Sequence, residues 1–271
     1  MSAIEEIRSG NIDEALQMLR MEVRAHPAEP KHRVFLFQCL AIQGAWDKAL
    51  TQLNLAGELD VANLQMMHAY REALQCEAFR ESVFAGKHSP VMFGEPQDWL
   101  AQMLNACHLD AEGHYAQAQS VRNAALDAAP ALSGTINGER FEWLADADSR
   151  VGPVLEILVN GRYYWAPFQH IRSIRLEAPA DLRDSVWMPA HFTWTNEGTA
   201  VGFIPTRYAG TTKQNEPAVR LARKTEWHEA FKGTYFGIGQ RTLTTDLGDY
   251  PLMDVRRIDF DSLAQQDHAY G

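Results

Sequence analysis

The chain has 271 residues, 46% of them hydrophobic, enough to bury a sizeable core and, at roughly 100 to 200 residues per domain, to form about two domains. Its formal charge of -10 opposes a phosphate backbone and argues against nucleic acid as a partner, and its longest apolar runs fall short of the ~18 residues that suggest a membrane span. Cys39, Cys76 and Cys107 are odd in number and form no CxxC pair, which argues against a disulfide framework and a zinc site, and a start bearing Glu5 and Glu6 lacks the basic residues of a signal peptide, so a cytoplasmic protein is expected.

The first 135 residues hold 10 Lys+Arg against 17 Asp+Glu and are rich in Ala, Leu, Gln and Glu, which is helix chemistry. "GNIDEALQML" begins at Gly10, "GAWDKALTQL" at Gly44 and "GHYAQAQSVR" at Gly113, spaced by 34 and then 69 residues, one period and about two. Ala15, Ala49 and Ala118 follow these glycines by five residues, and Pro27 and Pro130 follow two of them by 17. The pattern resembles the tetratricopeptide repeat, a helix pair whose glycine allows close approach and whose proline ends the second helix. Ile12, Ala15, Leu16, Leu19 and Val23 form one amphipathic stripe, which neighbouring repeats would cover, leaving a curved groove able to take a peptide or a helix. Where another copy would fall, a long helical stretch is expected over 61–85, and the helical domain is expected to end near Pro130 to Gly134.

Five of the seven tryptophans and 12 of the 18 glycines lie in residues 131–271, a composition of strands and turns. "VLEILV", Asn160-Gly161 and "RYYWAPF" predict a hairpin closed by a type I′ turn, because Asn-Gly accepts positive φ. "HFTWT", Asn196 to Gly198 and "TAVGFIP" predict a second hairpin, and "YPLMDVRRIDF" a final strand. Many short strands with glycine turns point to a twisted, barrel-like sheet. The expected fold is therefore multi-domain α+β, a TPR-like α-α superhelix over 1–132 followed by a β-rich, barrel-like domain over 133–271.

Asp146, Asp148 and Arg150 alternate, so in an extended chain they share a face where the arginine pairs both carboxylates. A metal reading demands more. An EF-hand counted from Asp146 meets Val151 and Ile157 where glycine and glutamate are required. "WHEAFK" places Lys232 where a zincin needs its second histidine, "GIGQRT" lacks the third glycine of a dinucleotide loop, and no GxSxG occurs. His170 and His191 sit beside aromatics and read as packing residues, and Arg256-Arg257 as a solvated or carboxylate-paired edge. The expectation is that the chain has no catalytic residue, metal or cofactor, with a divalent-cation enzyme using Asp146 and Asp148 as the alternative.

"FEWLADADSRVGPVLEILVNGRYYWAPFQHI", "APADLRDSVWMPAHFTW", "GFIPTRYAG", "RLARKTEW" and "YPLMDVRRI" together resemble the ImpE/SciE family, also called TagJ, an accessory family of bacterial type VI secretion systems. The resemblance covers most of the chain and is dense from Phe141 to Ile258. It implies a non-enzymatic cytoplasmic protein that associates with the N-terminal helix of the small contractile-sheath subunit, linked indirectly to the sheath-recycling AAA+ unfoldase. It marks Asp146, Asp148, Arg150, Gly152, Pro153, Asn160, Gly161 and Trp165 as signature positions with an expected structural role. Aligning Gly44 and Gly113 with the repeat glycine of the tetratricopeptide family places Val34 and Gln38 in one groove segment and Leu100, Met103 and Cys107 in another. These five are the candidate partner-binding residues, suited to an apolar helix face because methionine adapts in shape.

Overall fold

The computed structural model describes residues 2–95 and 97–262. Seven helices come first: α1 (Ala3–Ser9), α2 (Ile12–Ala25), α3 (Pro30–Ile42), α4 (Trp46–Leu59), α5 (Leu64–Phe84), α6 (Asp98–Ala111) and α7 (Tyr115–Ala128). Ser2 and Glu5 form a capping box at the start of α1, and Pro30 opens α3. The three repeat glycines separate α1 from α2, α3 from α4 and α6 from α7, with φ of 90°, 73° and 81°. Each ends a helix in the left-handed conformation that L-residues avoid and turns the chain into the next helix. Between the second and third of these pairs, α5 runs 21 residues as a single helix, so the array is interrupted where a further pair would fall.

Only a two-residue strand, β1 (Val91–Met92), lies among the helices. The strands that follow are β2 (Gly134–Ile136), β3 (Glu139–Phe141), β4 (Leu144–Asp146), β5 (Val154–Val159), β6 (Arg162–Pro167), β7 (Ile171–Leu176), β8 (Trp187–Trp194), β9 (Thr199–Pro205), β10 (Thr225–Phe231), β11 (Thr234–Gly239), β12 (Thr242–Thr245), β13 (Asp249–Pro251) and β14 (Arg257–Phe260), with the four-residue helix α8 (Pro217–Arg220) before β10. Nine strands form one sheet in the order β1-β6-β5-β9-β8-β7-β14-β2-β3, β13-β12-β4 form a second, and β10-β11 a ribbon.

This arrangement corrects the expected barrel. The large sheet is open, with β1 and β3 at its two edges, and no sheet among the described residues closes on itself. Leu144, Leu243 and Leu252 join strand residues such as Ile174, Phe192 and Ile258 in one apolar core, so the small sheet meets the large one as a packed layer. The predicted final strand also divides: Pro251, which has no N–H to donate, ends β13, a 3-10 turn follows at Leu252–Asp254, and pairing resumes in β14.

Both predicted hairpins form. Val154 to Val159 pair with Pro167 to Arg162 around Asn160 and Gly161, at φ of 51° and 70°, and β8 pairs β9 from Trp187 to Thr193. A second Asn-Gly turn, Asn137-Gly138, joins β2 to β3 with φ of 51° and 88°. Every residue of β5 is buried, because both faces of this strand are covered. Leu155, Ile157 and Val159 enter the core beneath the small sheet, whereas Val154 and Leu158 join Phe37, Tyr70, Leu100 and Met103 in a core shared with the helices.

Candidate functional site

The aspartate motif lies where the small sheet meets the ribbon. Asp146 ends β4, paired with Leu243 of β12, but the chain then turns instead of staying extended, because Asp146 accepts the N–H of Asp148 (2.9 Å) and Asp148 accepts that of Arg150 (2.8 Å). The turn separates the two carboxylates. Arg150 donates from Nε to Asp148 (2.9 Å) and forms an ion pair with it through Nη2, while its guanidinium lies 4.6 Å from the ring centre of Phe236 and 5.0 Å from that of Phe84. Asp146 pairs instead with Arg241 and accepts the Tyr208 hydroxyl (3.0 Å). The expectation that Arg150 holds both aspartates is corrected on this point.

Arg241 extends the network to Glu156 in the middle of β5, and there it meets the helical part. Arg80 of α5 donates to both Glu156 oxygens (2.6 and 3.0 Å), to Glu77 (3.2 Å) and to the carbonyl of Arg207 (2.9 Å). The Tyr163 hydroxyl donates to Glu156 and accepts from the Trp165 indole (2.8 Å), which gives the signature residue Trp165 a structural role. Burial pushes the Glu156 carboxyl up, but Arg80 and Arg241 outweigh it and hold it at about 2. Burial wins at Asp146, raised to about 6 against the pull of Arg241. Charge in a dry interior is tolerated only when paired, and Glu77, Asp146, Asp148 and Glu156 all face guanidinium groups.

Asp148 also accepts the N–H of Gly237 (2.8 Å), so both aspartates have their oxygens engaged by protein donors. Arg150 and Arg241 supply the positive charge that faces these two carboxylates. Among the described residues, no group of three or more His, Cys, Asp or Glu side chains is placed to hold a metal ion. Two clefts of about 670 Å³ open on the sheet part, one lined by Phe168, His170, Ile171 and Phe260 and the other by Arg175, His191, Thr193 and Val201. His170 lies in a 3-10 turn between β6 and β7, its Nε2 buried without a partner among the described residues, and His191 is exposed on β8.

Of the candidate groove residues, Leu100, Met103 and Cys107 are 1%, 0% and 2% exposed and lie inside the shared core. A Cβ at Gly152 would stand 3.6 Å from Met103 and 3.3 Å from Leu126, so the loop bearing Gly152 and Pro153 closes over this face of the helices. Val34 is half-buried and Gln38 is 7% exposed on α3, the helix that the 3-10 turn Leu182–Ser185 contacts. The groove between α3 and α5 is thus filled by the chain's own sheet part. Trp187 stacks on Phe37 (6.5 Å between ring centres) and meets Tyr70 (5.6 Å), and the Arg183 guanidinium lies 4.8 Å from the Tyr70 ring centre.

Two arginines complete the join. Arg207 donates to the carbonyls of Ala41 and Ile42 at the end of α3 (3.2 and 2.9 Å), and Arg223 to those of Ile7 and Arg8 at the end of α1 (both 2.9 Å). They engage the carbonyls of Ile42 and Arg8, add a second donor at Ala41 and Ile7, which already accept from Gly44 and Gly10, and place positive charge at the negative end of each helix dipole. The repeat glycines sit at the same junctions: a Cβ at Gly44 would stand 2.7 Å from Thr212, and one at Gly10 3.4 Å from Pro217. Neither Arg207 nor Arg241 was singled out from sequence, though Glu156, an acid within the otherwise apolar run VLEILV, already calls for a buried cation.

Helical pairs fixed to an open layered sheet by buried ion pairs and arginine caps define a two-part α+β protein whose apolar core is continuous between the parts. A model of the family described as ImpE protein matches residues 138–259. Over 261 residues, 96% of this chain and 92% of the relative, the sequence is 48% identical to the type VI secretion system accessory component TagJ of Pseudomonas aeruginosa. The chain belongs to the ImpE family, which includes TagJ. The crystal structure of a Vibrio parahaemolyticus protein shares the fold, with a TM-score of 0.88 and 21% identity over 97% of this chain and 99% of that one.

Proposed function

We propose that this chain is a non-enzymatic accessory component of a bacterial type VI secretion system, working in the cytoplasm as an adaptor. The observation that carries the reading is the 48% identity, over 96% of the chain, to a protein named for that role. Engagement of both motif aspartates by arginine, tyrosine and backbone donors supports a role without catalysis. No helix among the described residues is long and apolar enough to cross a membrane, which agrees with a cytoplasmic location.

In this reading the TPR-like helical part, 1–132, receives the N-terminal helix of the small contractile-sheath subunit, and the part 133–271 braces it. Binding influences sheath assembly or disassembly and touches the AAA+ unfoldase only through the sheath. Val34 and Gln38 remain on the proposed binding face, whereas Leu100, Met103 and Cys107, buried against the Gly152 loop, drop out of it. Calorimetric titration of the whole chain with a synthetic sheath-subunit helix tests the reading. Binding with a negative heat-capacity change is expected. No heat and no co-purification with the sheath subunit would retire the sheath partner.

A further inference from the structure

The turn Leu182–Ser185 lies over α3, with Leu182 packed into the helical core and Arg183 over Tyr70. Its hydrogen bonds are almost all local. Asp184 accepts the N–H groups of Ala180 and Asp181 (both 2.8 Å), Asp181 accepts from the backbone and Nε of Arg183 (3.0 and 2.8 Å), and the Ser185 hydroxyl donates to the Leu182 carbonyl (2.6 Å). Toward the sheet the turn is tied where the Thr206 hydroxyl donates to the Asp184 carbonyl (2.6 Å). Among the described residues, no hydrogen bond joins 180–185 to α3 or α5. The turn therefore rests on the helices by apolar packing and one cation–π contact, and it can lift without breaking a strand pairing or a helix cap.

A second observation lies in the same groove. Trp187 is fully buried among Phe37, Trp46 and Tyr70, yet its indole N–H has no acceptor among the described residues. Natural interiors seldom leave such a donor open.

We propose that the turn Leu182–Ser185 is a built-in occupant of the α3–α5 groove, displaced when an amphipathic helix carrying a leucine beside an arginine binds there. The proposal rests on the sheath-helix reading above and adds its regulation. The incoming leucine and guanidinium take over the places of Leu182 and Arg183, and a polar side chain of the helix supplies an acceptor to Trp187. Because the free protein holds the groove mostly closed, apparent affinity is reduced by the fraction that is open, and weakening the turn raises that fraction.

The test titrates the whole wild-type chain and a Leu182→Ser/Arg183→Ala variant with a synthetic peptide of the small sheath subunit's N-terminal helix. The variant should bind about 3- to 10-fold more tightly, with circular dichroism near wild type. Hydrogen exchange on the wild type keeps the proposal testable if the variant misfolds: saturating peptide should speed exchange at the amides of Ala180, Asp181 and Arg183. Peptide binding with unchanged exchange there, or equal affinity in a folded variant, overturns the built-in occupant and leaves the sheath reading standing. Failure of both proteins to bind overturns the two together.

Discussion

Arg80 and Glu156 stand 76 positions apart in the chain and are joined by two hydrogen bonds in the dry space between α5 and β5. Glu156 owes its low titration point to this pair and to Arg241, and through it the helical part and the sheet part hold one another. Removing Arg80 strands the buried Glu77 and leaves Glu156 with Arg241 as its one remaining ion-pair partner among the described residues. Arg80→Ala should lower unfolding free energy by about 3 to 5 kcal/mol, read from urea denaturation. A loss below about 1 kcal/mol would mean that water enters the network freely.

Arg241→Ala should be more damaging than Arg150→Ala. Arg241 is fully buried and serves both Asp146 and Glu156, whereas Arg150 serves Asp148 alone and reaches the surface. Chemical denaturation of the two variants should rank them in that order, with Arg241→Ala losing about 3 to 5 kcal/mol. Equal losses would show that the charges act as one undivided cluster.

Arg150 and Arg241 already neutralise the carboxylates that a divalent cation would use. Thermal scans with magnesium, manganese or calcium should leave the melting temperature of the wild type unchanged, since a ligand stabilises only the state it binds. A concentration-dependent rise that Asp146→Asn abolishes would restore the enzyme alternative.

Gly161 has a φ of 70°, and an added Cβ would stand 2.9 Å from the carboxyl carbon of the exposed Glu72 side chain of α5, which must swing aside. Gly138 has a φ of 88° and open space around it. Gly161→Val should therefore lower the melting temperature more than Gly138→Val, which bears only the left-handed strain of about 1 to 2 kcal/mol. Similar losses would mean that α5 yields to the new side chain.

Acid should first strengthen the fold and then weaken it. The folded Asp146 carboxyl titrates at about 6 against an ordinary 3.8, so the native state takes up its proton first and gains stability as pH falls from about 6 to 3.8. Asp110, raised to about 6 by burial against the pull of Arg122, acts in the same direction. Glu156, ordinarily at 4.5 and held at about 2, contributes stability above 4.5 that is lost as pH falls toward 2. Urea midpoints across this range should peak between pH 3.8 and 6, and Asp110→Asn should flatten the alkaline side of the peak. A midpoint that falls steadily from pH 7 would contradict the raised carboxyls.

What the sequence displayed was local. Gly10, Gly44 and Gly113 announced their helix pairs, and Asn160-Gly161 its hairpin, because a positive φ leaves its mark on one or two residues. Asn137-Gly138 carries the same signal for the β2–β3 turn. The partners of Asp146 and Glu156 were hidden for a different reason: Arg241 lies 95 and 85 positions away from them, and no periodicity connects such distant residues. The same distance concealed the filled groove. Leu100 and Met103 have the apolar character of a binding face, and an apolar face reads alike whether a partner or the chain's own loop covers it.

The arginine caps also set an order on synthesis. Arg207 reaches back 165 and 166 positions to the end of α3, and Arg223 reaches back 215 and 216 to the end of α1. At about 5 to 20 residues per second, a ribosome that has finished α3 needs roughly 10 to 30 s to deliver Arg207. During that interval the nascent helices stand with open carbonyl ends and with Phe37 and Tyr70 uncovered, a window in which a chaperone or an early partner meets a surface that the finished protein has closed.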